Sequence, residues 1–474
     1  ASWSMGARLS ATDLHVAARR ELVGWCWLAV GALVVAGLLA ILLALSRLPG
    51  IEAVAPRAVE FFYKGLVEHV VFSLVIWLLA MIAFLVSLAT FESGGASVHG
   101  GVLGSVGQGL VMAAFPCLLL PAFLESTTPE LTNYVPLIRH PAYDAGLVLL
   151  AAGILAPVLR LLANYPGRLS RLSPLGFAAS AIGVTYVIAL VVFAVATLVL
   201  WRGGNVESSR EQLNWGGGHV LQFAYAAMML TSWAILARRA FGEKAFDIDI
   251  LRLAVGFIVV LSLPSLAFYL AFDPYSTKLH DAFRLLQFGM AMPTLVFGVA
   301  LLGGALARAP VRDWPWRDPA MLALAVSMLL FAAGGAMGLL ISGSDTRTPA
   351  HYHAVVTAVS LAAMGVLLTY GLDALGKVRP SDRAARMIVL LYGLGQLAAS
   401  LGMFVAGGYG APRKSPTAFS HLLDPVVAGM LVHGIGALFA LLGGAAFVVI
   451  AIRALWRSAA PRSSAGVRPW PSPL

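Results

Sequence analysis

Apolar stretches long enough to cross a bilayer recur from one end of this chain to the other, and no other feature constrains its fold as strongly. A helix needs about 20 apolar residues to span the hydrocarbon core. The sequence offers twelve such stretches, at 21–47, 68–92, 102–125, 143–165, 175–202, 218–240, 250–273, 282–308, 319–343, 350–376, 385–409 and 426–456. Lipid gives the backbone no hydrogen bonds and no alternating barrel pattern is present, so these spans must close their own amides as helices. Only 11% of the 474 residues are charged while 59% are hydrophobic, too little charge to cover a soluble domain of this length. The expectation is an all-α polytopic membrane protein with twelve transmembrane helices. An N-terminal cytoplasmic segment (1–20) precedes a membrane domain (21–456), and a flexible tail rich in Pro and Ser (457–474) follows.

Basic residues set the orientation. Arg19 and Arg20 precede span 1, Arg168 and Arg171 lie between spans 4 and 5, and Arg238, Arg239 and Lys244 lie between spans 6 and 7. Arg308, Arg312 and Arg317 follow span 8; Lys377, Arg379, Arg383 and Arg386 follow span 10; Arg453, Arg457, Arg462 and Arg468 follow span 12. With twelve spans all these loops share one side, so both termini are expected in the cytoplasm of a prokaryote, with the protein in its inner membrane. The net charge of +10 then marks cytoplasmic loops among lipid, and no nucleic-acid partner is expected. Cys26 and Cys117 sit in apolar spans, which argues against a disulfide framework. The first span is too long for the core of a cleavable signal.

The ten histidines divide into two groups. His15, His99, His140, His280 and His421 fall in loops or near span ends, where a solvated or interfacial role is the default, and His433 in span 12 has the means to bond a neighbouring helix. The other four are His69 after Glu68, His219 in Trp215-Gly216-Gly217-Gly218-His219, and His351 with His353 in Ala350-His351-Tyr352-His353-Ala354. An imidazole in a span is costly unless paired, so each is a functional candidate. Spans 2, 6 and 10 run from outside to inside and these histidines lie near their starts, which places all four at a similar depth near the outer face. Residues two apart on a helix point about 200° apart. His351 and His353 therefore face opposite sides of span 10 and suit two separate metals, as in a helix standing between two hemes.

This constellation resembles the cytochrome oxidase subunit I family (heme-copper oxidases and nitric oxide reductases), most nearly its B-type oxidases. The likeness runs from Tyr63 to Phe447 and includes the His-x-His opening span 10, Tyr134-Val135-Pro136-Leu137, Leu261-Ser262-Leu263-Pro264, Ala362-Ala363-Met364-Gly365 and Ala411-Pro412-Arg413-Lys414. The resemblance implies that His69 and His353 ligate a low-spin heme from its two faces. It implies that His351 is the proximal ligand of a second heme whose other face looks toward span 6. Arg413 and Lys414 match a basic pair that grips heme propionates; the family has two arginines there, and Lys cannot make the same bidentate contacts. Asp345, six residues before His351, is a further candidate near the second heme's propionates, with loop capping as its alternative role. Two hemes are expected, of b type, because the chain carries no Cys-x-x-Cys-His attachment motif.

The departures bear on chemistry. In the family, copper or non-heme iron sits opposite the second heme on one histidine of span 6 and two adjacent histidines of span 7. His219 matches the first, but the span-7 place reads Phe268-Tyr269. The oxidase tyrosine four residues after the span-6 histidine is Phe223 here, and Val220-Leu221-Gln222-Phe223-Ala224 offers no glutamate of the nitric oxide reductase kind. One histidine does not hold a divalent ion against water, so no copper is expected. Two roles stay open for His219: ligand to the second heme, or distal hydrogen-bond donor beside an open one. The leading expectation is a di-heme electron-transfer subunit of a respiratory membrane complex. It would work with further subunits and take electrons at the outer face from a cytochrome, a cupredoxin or a quinol. The alternative is a terminal reductase of oxygen or nitric oxide with an unusual heme site. A transporter is a third reading, disfavoured because Ser93 to Gly101 lacks the charged signature of the largest twelve-span transporter family.

Overall fold

Each of the twelve apolar stretches is a helix. The computed structural model describes residues 16–45, 61–94, 98–132, 135–164, 172–204, 210–341, 343, 345–413 and 425–457. The spans are α1 (Ala17–Leu45), α2 (Phe62–Glu92), α3 (Gly101–Phe123), α4 (Pro141–Asn164), α5 (Pro174–Arg202), α6 (Arg210–Phe241), α7 (Ile248–Ala271), α8 (Thr277–Leu306), α9 (Pro319–Leu339), α10 (Arg347–Ala374), α11 (Asp382–Gly408) and α12 (Pro425–Trp456). Lys414, Tyr134, Arg168, Arg171, His15, His421, most of the N-terminal segment and the tail beyond Arg457 lie outside the described residues.

The histidine-bearing helices begin earlier than the hydropathy pattern predicts. α2 opens at Phe62 rather than 68, α6 at Arg210 rather than 218, and α10 at Arg347 rather than 350. The added residues include Lys64 in α2 and Arg210, Glu211, Gln212 and Asn214 in α6. Such residues lower the hydropathy of a window without breaking a helix, since Lys, Glu, Gln and Arg are all good helix formers. α7 has the opposite irregularity. Pro264 has no N–H to give, and the helix is interrupted between Ile248–Ser262 and Ser265–Ala271.

The chain divides into two compact units, Ala1–Thr231 with Asp247–Ala300 and Ser232–Phe246 with Leu301–Pro473. In the first, α1 packs on α2, α3 on α4, and α2 on α4 and α5, while α7 lies along α5. An antiparallel pair, β1 (Thr128–Glu130) with β2 (Leu137–Arg139), contacts the start of α2, and Lys64 Nζ donates to Leu124 O at 2.5 Å nearby. Arg210 grips Asp144 with both terminal nitrogens, at 2.5 and 3.0 Å, fixing the start of α6 against that of α4.

A buried ion pair joins the other ends of this unit's helices. Arg160 of α4 is fully buried and donates to both carboxylate oxygens of Glu21 at 2.7 and 2.5 Å. It also reaches Ser87 Oγ at 3.2 Å, and its guanidinium lies 4.9 Å from the Phe91 ring. Gln108 of α3 donates to Glu21 O at 2.5 Å. One charge pair thus ties α1, α2, α3 and α4 together.

In the second unit α9 packs on α10, α10 on α11, and α11 on α12. The last pair meets backbone to backbone. Gly429, Gly436 and Gly443 recur every seven residues on α12, and Gly395 and Gly402 do so on α11. A Cβ on Gly436 would lie 2.6 Å from Gly395 O, and one on Gly429 would lie 2.7 Å from Gly402 O. Close approach of small residues supplies the dispersion contact that holds helices together where lipid is as apolar as the side chains. Gly436→Ala is expected to overpack this seam and lower stability by about 1–3 kcal/mol, read as an earlier thermal unfolding in detergent; Gly434→Ala, with open space around it, serves as the neutral control.

Candidate functional site

The three helices that carry the candidate histidines are the most enclosed of the twelve. The share of their apolar windows that is buried is 83% for α2, 94% for α6 and 89% for α10, against 28–50% for the rest. Polar side chains on them therefore face protein rather than lipid, which is the condition for ionisable groups at membrane depth.

His69 lies two turns inside α2. Its Nδ1 meets Ala36 O of α1 at 2.9 Å. A backbone carbonyl only accepts, so Nδ1 carries the proton and Nε2 keeps its lone pair, the tautomer that metal-ligating histidines hold through an outer hydrogen bond. Directly after His69 the helix widens into a π segment, Val71–Ile76, and Ser73 Oγ donates to the His69 carbonyl at 2.6 Å. Single π turns of this kind gather at functional sites.

Beside His69, Glu68 is fully buried, and among the described residues neither of its carboxylate oxygens has a hydrogen-bond partner. In the sequence Glu68 stands only as the neighbour of His69. Its signal was available in a charged residue set within an apolar run.

His219 is fully buried in α6, its Nδ1 2.6 Å from Trp215 O one turn earlier. Aromatic rings enclose it: Trp215 at 4.9 Å and Phe283 at 5.5 Å between centroids. The glycines before it admit these rings, since a Cβ on Gly216 would lie 2.5 Å from the Tyr269 ring and 2.6 Å from that of Phe283. The His280 ring of α8 lies tilted against Trp215, centroids 4.4 Å apart, so this helix-end histidine belongs to the aromatic cluster. The two positions that would carry the span-7 ligands lie here as well. Phe268 packs edge-on to Phe283 at 5.0 Å. Tyr269 accepts from Gly216 N at 3.1 Å and donates to Gln212 O, so its hydroxyl is spent on the backbone of α6. Among the described residues no three His, Cys, Asp or Glu side chains come together as a metal site. The donor set around His219 does not fit the family's copper.

In the second unit, His351 lies one turn inside α10 with its Nδ1 2.7 Å from Gly334 O of α9. This is the same arrangement as at His69, with Nε2 left unprotonated. Gly338 makes the approach possible, because a Cβ there would lie 2.8 Å from the imidazole. His353 is half-buried and stacks on Tyr352, centroids 5.2 Å apart. The donor sets of His69 and His351 fit axial ligation of heme iron. His433 bonds Ala399 O of α11 at 3.2 Å, the neighbouring-helix contact its sequence position suggested.

Asp345 is engaged by a residue that the sequence reading passed over. It accepts from Arg347 N at 2.8 Å and from Arg347 Nη2 at 2.7 Å, and that guanidinium holds its carboxyl below the usual carboxylate range. It also bridges to Pro412, and Thr346 N donates to Ala411 O at 3.0 Å. Asp345 thus caps the start of α10 and joins it to the loop carrying Arg413, the one described member of the basic pair; Arg347 adds a cation one turn before His351.

The family described as cytochrome c and quinol oxidase polypeptide I matches residues 22–455. An uncharacterized protein of Aquifex aeolicus is 26% identical over 360 residues, covering 73% of this chain and 83% of its own length. An uncharacterized protein of Rickettsia prowazekii is 23% identical over 485 residues, covering 90% and 94%. Cytochrome c oxidase subunit 1 of Thermus thermophilus is 28% identical over 381 residues, covering 70% and 65%. Among solved structures, a heme-copper terminal oxidase dimer superposes with a TM-score of 0.75 at 17% identity, over 96% of this chain and 87% of that one, a likeness of fold.

Proposed function

The chain belongs to the cytochrome c and quinol oxidase polypeptide I family, and from that premise we propose that it is a di-heme cytochrome that carries electrons within a respiratory membrane complex, with no metal opposite its second heme. The observation that carries this reading is the engagement of Tyr269. Where the family places two adjacent histidines, this chain has a phenyl ring and a phenol bonded to the α6 backbone.

In this reading His69 and His353 would hold one heme and His351 the second, and Arg413 and Lys414 would meet propionates. Bound there, each heme supplies a one-electron couple tuned by its axial ligands and surroundings. The chain's own residues orient and enclose. Ala36 O and Gly334 O fix the rings of His69 and His351 and keep Nε2 unprotonated. Trp215, Phe268 and Phe283 line the surroundings of His219 with apolar surface. Phe223 supplies neither proton nor electron where the oxidases place tyrosine. Electrons enter from a cytochrome, a cupredoxin or a quinol brought by a partner subunit.

The test is gas consumption by the purified, heme-loaded protein with a reduced donor in excess. No turnover above that of free heme is expected with oxygen or nitric oxide. Sustained turnover near the enzyme median of about 10 per second would overturn the reading and favour a terminal reductase.

A further inference from the structure

We propose that the loop between α8 and α9 is a binding site for an anionic phospholipid, built from Arg312 and Arg317 on a platform of two stacked tryptophans. The loop joins the end of α8 at Leu306 to the start of α9 at Pro319, so it lies at the bilayer edge, and its residues belong to one unit. Trp314 and Trp316 stack with centroids 5.7 Å apart and planes 30° apart. Both indole N–H groups bond backbone carbonyls of the loop itself, Trp314 Nε1 to Ala309 O at 3.0 Å and Trp316 Nε1 to Val311 O at 2.8 Å. Trp314 also packs edge-on to Phe241 at 5.8 Å. Arg308 donates to Ala245 O at 3.1 Å and to Gly304 O, which ties the base of the loop to the residues after α6.

This bracing fixes what the loop presents. The Arg312 side chain, in the 3-10 turn Val311–Asp313, is 85% exposed and lies 3.7 Å from Asp313. Arg317, directly after Trp316 in sequence, is exposed. Val311 and Trp316 are also exposed, at 47% and 38%. Apolar surface beside two guanidinium groups at a membrane edge matches one occupant. The acyl chains meet Val311 and the indole, while the planar guanidinium forks reach the phosphodiester oxygens bidentately. Tryptophan at the interface and arginine against anionic headgroups are each favoured there. A soluble anion would satisfy the charge and leave the exposed valine and indole unused.

The test uses the full chain in nanodiscs of phosphatidylcholine with or without phosphatidylglycerol, counting lipids retained on release by native mass spectrometry. The wild type should retain phosphatidylglycerol over phosphatidylcholine. Arg312→Gln with Arg317→Gln should cut that preference about tenfold or more, while Arg453→Gln with Arg457→Gln, basic residues elsewhere, should leave it in place. Arg312→Lys with Arg317→Lys should fall between, because charge survives and the fork does not. Equal loss in both Gln pairs would mean diffuse charge attraction and overturn the proposal. Full release of the lipid by inorganic phosphate would overturn it too, as a free-anion site. Unchanged thermal unfolding of each variant confirms that the loop, and not the fold, was altered.

Discussion

Replacing His353 with alanine is expected to leave the chain with one heme instead of two. Alanine offers no ligand, and His69 alone, anchored through Ala36 O, leaves one axial position of its iron open to loss or exchange. The second heme should survive, because His351 is held separately: its ring lies on Gly334 O of α9 and against Gly338, contacts that His353 does not share. The pyridine hemochrome assay should therefore fall to about half its heme per chain, with the six-coordinate low-spin bands lost from the reduced spectrum. His353→Met should retain both hemes and raise the potential of one, since a His/Met iron is the more oxidising. An alanine variant that keeps two hemes with an unchanged spectrum would contradict the assignment of His353. His351→Ala should give the complementary result, losing the second heme and keeping the low-spin bands.

Arg160→Met is expected to be the most destabilising single change in the first unit. The guanidinium is fully enclosed and meets both oxygens of a Glu21 that is only 8% exposed. Removing it strands a buried carboxylate, which costs about 3–5 kcal/mol, a large part of a total stability that is itself about 5–15 kcal/mol. The double change Glu21→Leu with Arg160→Met removes both charges and should recover much of the loss, because apolar replacements of similar volume are often neutral where single removals are not. Yield in membranes and thermal unfolding in detergent read both variants. A single variant as stable as the parent, or a double variant no better than the single, would show that the pair does not hold these helices as described.

Much of the fold could be read from the sequence because lipid simplifies the problem. A helix at membrane depth has no alternative way to close its amides, so span number and order follow from length and composition alone. The places where the reading slipped are those where polarity and helicity part company. The first turns of α2 and α6 carry Lys64, Arg210 and Glu211, and a hydropathy window ends where such residues begin.

The histidines of the candidate site were readable for a related reason: charge-bearing rings in apolar runs stand out, and their spacing on one helix fixes their relative direction. Their hydrogen-bond partners were not readable. Ala36 O and Gly334 O are backbone atoms 33 and 17 residues from the rings they hold, and any residue type presents the same carbonyl. Tyr269 was recognised as a replacement, but its bond to the turn before His219 is a matter of packing. His280 was passed over because its position near a helix end says nothing of the Trp215 ring it lies against. Glu21 and Arg160 are 139 residues apart, with no periodicity to link them.

Whether this family member holds two hemes and no copper is tested most directly by counting metals on the purified chain. Protein expressed with iron, heme precursors and copper all in supply, then dialysed and measured by inductively coupled plasma mass spectrometry, should carry two irons and no copper per chain. Copper at one per chain, retained through dialysis, would contradict the account, because it would require a site that Phe268 and Tyr269 do not provide.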